Sequence, residues 1–256
     1  MKNICLFLCV LIPVFSWAES DDILLIKVDQ LASYMDTDFS AEYTIVQSKP
    51  GQNNSSTTAA VFRRDSKEQY VIRIMEPVVS RGQGYLKEGN MLWFYDPESK
   101  VFNSTSSRER FQNSNASNSD FTRSTLAQDY WVISGKNETL GKFKCRVLTL
   151  KAKNTDLVYP EMRIWISEDN LLRKTEDYSL SGQLLRTTAI PEYYTIGKRY
   201  VPKGILIIDA LRGATINGKF VHEQTKITIK QPFFEKIADN VFSKTFLETM
   251  AHGGKS

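Results

Sequence analysis

The sequence predicts a mainly β protein with a few helices, built on a single large antiparallel sheet that curls into an incomplete (half) barrel. Short runs of β-favouring residues alternate with turn residues at even spacing over nearly the whole chain. Roughly ten or eleven strands are expected, more than an open sheet holds without curling or splitting. Some strands are apolar on both faces, so that both faces of the sheet need a cover.

The first residues have the layout of a secretory signal peptide. A single charge at Lys2 precedes an apolar run from Ile4 to Val14, and small residues follow at Ser16 and Ala18. This run is too short for a spanning helix, whereas its flanks are typical of a secreted protein. We therefore expect residues 1–18 to be removed by cleavage after Ala18, and the protein to be periplasmic.

The remaining chain is predicted to be one domain. We assign residues 19–250 to a half-barrel domain and residues 251–256 to a disordered tail. Two of the three cysteines, Cys5 and Cys9, leave with the signal peptide. Cys145 is then alone, so no intramolecular disulfide is expected.

The element at the start of the domain is an amphipathic helix. Asp21 to Met35 carry apolar residues at helical spacing, and Ser20 is suited to cap the N-terminus. From Phe39 the apolar period changes to two, which indicates a strand with one buried face. The helix is therefore expected to cover the sheet that follows it.

The next recognisable element is a three-stranded meander between Gly82 and Phe102. Two β-favouring runs flank the turn Glu88 to Asn90, and a second turn contains Pro97. Trp93 and the residues two positions before and after it are expected to face one side of their strand. The apolar residues between them are expected to face the opposite side. The meander predicts a sheet that is apolar on both faces.

The second half of the chain contains a polar loop, a short helix, further strands and an apolar end. Residues 104–119 are rich in Ser, Asn and Arg with almost nothing to bury, which predicts a mobile loop. Residues 124–131 are consistent with a short helix, and seven strands are expected between residues 143 and 230. After Pro232, a Phe-rich segment is expected to lie across an opening of the sheet.

Composition and motifs exclude several function classes. The net charge of +4 is small and the charges are interspersed, so no nucleic-acid partner is expected. Neither His222 nor His252 has a Cys, His or carboxylate residue at the spacing of metal ligands. We therefore expect no metal and no cofactor. Cys145 lies among alternating β residues and reads as a buried, inert thiol. The sequence contains no catalytic motif. We therefore expect that the protein is not an enzyme and has no catalytic residue.

The sequence resembles the outer-membrane lipoprotein-sorting (LolA-like) family. The resemblance runs from Asp21 to Leu247 and rests on the N-terminal helix, the closing Phe-rich segment, the GQGYLKEGNMLWFYDPES stretch, and the segments Phe39–Tyr43, Asn118–Phe121 and Tyr159–Leu172. It implies an incomplete barrel with helices in its mouth, enclosing an apolar cavity for lipid. Carriers of this family hold their lid with a buried arginine. The strand residues Arg63, Arg73 and Arg163 are candidates for that role, although each also reads as a surface charge.

The function expected from this resemblance is a periplasmic carrier that shuttles lipoprotein acyl chains or lipids towards the outer membrane. An inner-membrane transporter and an outer-membrane acceptor are the implied partners, and the carrier is expected to be a monomer. Two alternatives stay open: a lipid-binding accessory subunit of an envelope exporter, and a hydrolase of envelope polymers. The residues expected to contact lipid are apolar strand residues: Tyr43, Ile45, Phe62, Ile72, Ile74, Leu86, Trp93, Tyr95, Phe143, Ile164 and Trp165.

Overall fold

The computed structural model describes residues 20–252 of the chain. The predicted signal peptide, its cleavage site and residues 253–256 lie outside the described residues. Among the described residues, no helix is long and apolar enough to cross a membrane.

Residues 20–252 form three α-helices and fifteen strands. The helices are α1 (Asp21–Ala32), α2 (Leu126–Asp129) and α3 (Lys244–His252). The strands are β1 (Phe39–Ser48), β2 (Ser55–Arg64), β3 (Gln69–Glu76), β4 (Gly84–Glu88), β5 (Met91–Asp96), β6 (Val101–Ser104), β7 (Tyr130–Leu140), β8 (Phe143–Ala152), β9 (Glu161–Ser167), β10 (Leu172–Tyr178), β11 (Leu184–Ala189), β12 (Tyr193–Ile196), β13 (Arg199–Pro202), β14 (Gly204–Ile216) and β15 (Lys219–Phe233).

Thirteen strands form one antiparallel sheet in the order β6-β5-β4-β3-β2-β1-β15-β14-β11-β10-β9-β8-β7. β6 and β7 are its two edges, and the sheet is not closed into a barrel. β12 and β13 form a separate hairpin. The predicted fold class is confirmed. The described residues form fifteen strands where roughly ten or eleven were expected, and β7 and β12 are among the strands that the sequence did not predict.

The predicted N-terminal helix is confirmed, although it ends at Ala32, before Met35. The Ser20 side chain accepts a hydrogen bond from the Ile23 amide at 3.4 Å and so caps the first turn. Leu25 and Val28 face the sheet and are buried against β8 and β9. Apolar burial along one stripe therefore holds α1 on the concave side.

The polar loop between β6 and α2 covers the concave face over β1–β5. Phe111 and Ala116 are fully buried there, and Phe111 stacks on Phe121 and Tyr85 with ring centroids 4.5 and 4.8 Å apart. The expectation of a loop with almost nothing to bury is wrong. Two aromatic residues and an alanine suffice to seat it, because the polar residues between them bond to the wall and to one another.

The C-terminal segment covers the convex face of the same strands. Phe242 and Leu247 pack on Val71, Leu86 and Tyr95, and the Leu247 side chain occupies the place where a Cβ on the glycine at the start of β4 would lie. The prediction that this segment lies across an opening is therefore wrong. α3 extends to His252, two residues into the segment predicted as a tail.

Candidate functional site

A cavity of about 350 Å³ lies between the concave sheet and the helices α1 and α2. Val28 and Leu31 contribute from α1, and Leu126 contributes from α2. The sheet contributes Met162 from β9, Ile207 from β14, and Ile227 and Ile229 from β15. Ile190, which directly follows β11, also lines the cavity. The walls are thus mainly apolar, and the sheet separates the cavity from the convex side of the molecule.

The position of the cavity follows from where the polar loop ends. The loop fills the concave face over β1–β5, and Phe121 at its end also lines the cavity. The rest of the concave face, over β9–β11 and β14–β15, lies beneath α1, α2 and the β12–β13 hairpin, whose Tyr193, Tyr200 and Val201 also line the cavity. α2 is fixed to α1 by Asp29, whose carboxylate accepts hydrogen bonds from the amides of Leu126 and Ala127 at 3.0 and 2.7 Å.

A buried arginine lies in the wall nearest to the end of α1. Arg63 donates to both carboxylate oxygens of Asp65 at 3.1 and 2.7 Å, and its guanidinium stacks on the rings of Tyr34 and Phe39. Asp65 also accepts from the Tyr34 amide at 2.8 Å. Although burial opposes the charge, Asp65 holds the pKa of Arg63 above its ordinary value. Burial also raises the pKa of Tyr43 to about 12.

A second arginine, which is partly buried, anchors the loop to the opposite wall. Arg186 on β11 donates to both oxygens of Asp120 in the loop at 2.8 Å each and to Asp177 on β10 at 2.5 Å. Asp177 has no exposed surface. Burial raises the pKa of Asp177. For Asp120, burial acts in the same direction, but the charge of Arg186 outweighs it and lowers the pKa.

Only one of the predicted lipid contacts lines this cavity, namely Tyr43. Ile45, Ile72 and Ile74 lie under the loop in the core of the concave face, and Ile164 lies beneath α1. The others belong to two separate clusters: Phe62, Leu86, Trp93 and Tyr95 pack against the C-terminal segment, and Phe143 and Trp165 pack with Cys145. Lipid binding by these residues stays a prediction. Alternation identified which residues are apolar but not which face borders the cavity.

Of the three candidate arginines, only Arg63 lies at the cavity. Its expectation as a surface charge is wrong, because it is 9% exposed. Arg73 donates to the Met250 carbonyl at 2.9 Å beneath the C-terminal helix. Arg163 has a side chain that is 43% exposed, as expected for a surface charge. The local sequence gave no sign of the burial of Arg186.

The described residues were predicted to contain no metal site and an inert cysteine. They contain no group of three or more His, Cys, Asp or Glu residues that could hold a metal ion. Cys145 is buried, as predicted, and burial raises the pKa of its thiol. A raised pKa keeps a thiol protonated and unreactive.

Comparison with known proteins adds a family and a fold. A family model described as "-like: Uncharacterized protein" matches residues 66–249, more than half of the chain. The chain belongs to this family. The description names no activity, and no curated protein matches the sequence.

Solved structures share the fold over almost the whole chain. A LolA superfamily protein of Nitrosomonas europaea is 24% identical with a TM-score of 0.73, covering 90% of this chain and 100% of that one. A putative outer membrane lipoprotein-sorting protein domain of Vibrio parahaemolyticus is 18% identical with a TM-score of 0.74, covering 88% and 97%. A DUF1329 family protein of Desulfovibrio piger is 16% identical with a TM-score of 0.77, also covering 88% and 97%. The chain therefore has the LolA-like fold, and the resemblance seen in its sequence is confirmed.

Proposed function

We propose that the protein is a periplasmic carrier that binds an acyl chain of a lipoprotein or lipid in the cavity and shuttles it towards the outer membrane. The observation that carries the proposal is a mainly apolar cavity on the concave side of a LolA-like sheet, beneath α1, α2 and the β12–β13 hairpin. A mainly apolar pocket is typical of sites for apolar ligands. The signal peptide expected from residues 1–18 supports a periplasmic location.

The size of the cavity limits the cargo that this conformation can hold. A volume of about 350 Å³ is close to the lower end of ligand pockets. It equals roughly a dozen groups of the size of a water molecule, at about 30 Å³ each. One alkyl chain therefore fits, whereas a cargo with several chains requires the loop over β1–β5 or the helices to move.

The energetics suit a shuttle that performs no chemistry. Removing alkyl surface from water gains about 0.8 kcal/mol per methylene group, and a bilayer offers the same gain. A carrier needs only an interior about as apolar as the bilayer. The direction of transfer then comes from a donor in the inner membrane and a tighter acceptor in the outer membrane. No catalytic residue is required.

Blocking the cavity tests the proposal. Ala32 is an exposed residue at the end of α1 that lines the cavity, so Ala32→Trp fills space there without disturbing a packed core. We expect the variant to lose at least tenfold in affinity for a fluorescent fatty acid, and to stop extracting acylated lipoprotein from membrane vesicles. The matched control is Ile26→Trp, at an exposed position of the same helix that lies outside the cavity lining.

Two outcomes would contradict the carrier function. Wild-type protein purified from native envelopes would then carry no acylated molecule by mass spectrometry. Alternatively, the Ala32 and Ile26 variants would bind the fatty acid equally well, which would place the ligand elsewhere on the molecule.

A further inference from the structure

One row of inward-facing side chains crosses the sheet from β8 to β1. Residues directly opposite each other in antiparallel strands share a face. The strand register aligns the row as Leu148, Ile164, Thr175, Thr188, Ile207, Thr225 and Gln47. Two threonines therefore interrupt an otherwise aliphatic stretch at the wall of the cavity.

The polar residues at the end of this row are paired with the loop. The Asn115 amide donates to Thr225 Oγ1 at 2.7 Å and to Gln47 Oε1 at 3.1 Å, and the Thr225 hydroxyl donates to Gln47. The loop thus explains why these positions are polar. It does not cover Thr175 and Thr188, both of which line the cavity.

One residue of the cavity wall, Thr188, and one residue beside the wall, Asp177, carry a buried polar atom that lacks a partner. Among the described residues, neither Thr188 Oγ1 nor Asp177 Oδ1 has a hydrogen-bond partner. Asp177 is fully buried. It lies two residues along β10 from Thr175, opposite Arg186, and on the same face of the sheet as Thr175 and Thr188. Burial raises the pKa of Asp177, and a hydrogen bond from the Thr175 side chain offsets part of this rise. Asp177 Oδ1 nevertheless accepts no hydrogen bond of standard geometry.

Packing does not account for the hydroxyl of Thr188. Valine has the same shape and would continue the aliphatic row between Ile164 and Ile207. A buried hydroxyl without a partner destabilises a protein, whereas a methyl group at the same place does not. A ligand that brings a hydrogen-bonding group to this point would remove the penalty.

We propose that Thr188, with Thr175, forms a polar subsite that selects alkyl chains bearing a hydroxyl group. The inference rests on the proposed carrier function and specifies its ligand. A hydroxyl group both donates and accepts hydrogen bonds, which matches the threonine hydroxyl at the cavity wall. A plain hydrocarbon chain fits the same cavity but leaves the Thr188 hydroxyl unsatisfied.

The experiment compares 3-hydroxytetradecanoic acid with tetradecanoic acid, which differ only by the hydroxyl group. Binding is measured by displacement of a fluorescent fatty acid. We expect the wild type to bind the hydroxylated chain about two- to tenfold more tightly, as one added hydrogen bond allows. Thr188→Val abolishes this preference and melts at the same or a higher temperature than the wild type.

The matched control is Thr187→Val on the opposite face of β11, which keeps the preference. Thr175→Val is the second variant, and we expect it to reduce the preference. Equal binding of both acids by the wild type, or an unchanged preference in T188V, overturns the subsite and leaves the carrier function intact. If the wild type binds neither acid, the carrier function fails and the subsite with it.

Discussion

Replacing Arg186 with methionine tests whether the ion network holds the loop to the wall. The change removes three charge-assisted hydrogen bonds, two to Asp120 and one to Asp177. Because Asp177 has no exposed surface, water cannot replace the lost partner. Leaving such a charge uncompensated costs about 3–5 kcal/mol of unfolding free energy. At about 2–4 °C per kcal/mol for a domain of this size, the melting temperature falls by roughly 6–20 °C.

Urea denaturation followed by tryptophan fluorescence measures this loss. Arg163→Met is the matched control, since Arg163 is also a strand arginine, but its side chain is 43% exposed and lies 3.7 Å from Glu176. We expect the control to change stability by no more than about 0.5 kcal/mol. A triple variant with Asn at positions 120 and 177 and Met at 186 should recover most of the loss, because no buried charge remains.

A loss in R186M of less than about 1 kcal/mol, or one equal to that of R163M, would refute this reasoning. It would mean that Asp177 is protonated or hydrated at neutral pH, so that Arg186 neutralises no buried charge. A triple variant no more stable than R186M would show that shape and not charge sets the cost.

Three other sites give measurable outcomes. Leu247→Ala should lower the free energy of unfolding, measured by urea denaturation, by about 2–5 kcal/mol, since Leu247 is 1% exposed on the convex face. Hydrogen exchange should rise first in residues 234–252. Unchanged exchange there would contradict the docking of this segment. Lowering the pH from 7 towards 4 should narrow the difference in unfolding free energy between the wild type and R186M. Burial raises the pKa of Asp177, and protonation of Asp177 removes the charge that R186M leaves uncompensated. A difference that widens as the pH falls would contradict this reasoning. Cys145 should react with a disulfide reagent at pH 8 at least tenfold more slowly in the native than in the urea-unfolded protein, since burial raises the pKa of its thiol; equal rates would show an accessible thiolate.

The meander from β4 to β6 shows how far local patterns reach. Its turns and alternation predicted all three strands and the apolar character of both faces. They did not predict the covers, because a loop that buries Phe111 and a tail that buries Leu247 are distant in sequence or polar on average. The hydrophobic effect has no direction, so any apolar segment of suitable shape can cover an apolar face.

The candidate site was less accessible to sequence than the fold. Tyr43 was found because it alternates along β1, whereas the threonines of β10 and β11 look like ordinary strand residues. Arg63 read as a surface charge, and nothing adjacent in sequence singled out Arg186 or indicated its burial. Only the register of neighbouring strands brings Arg186 between Asp177 and Asp120.

The sequence by itself determined the class of the protein: one curled antiparallel sheet preceded by an amphipathic helix, without catalytic motifs. These features depend on period and turn chemistry, which act over a few residues. Only the tertiary structure decided where the cavity lies. Its position depends on which stretch of the concave face the loop fills and which stretch it leaves to α1 and α2, and that choice is made by contacts between residues far apart in the chain.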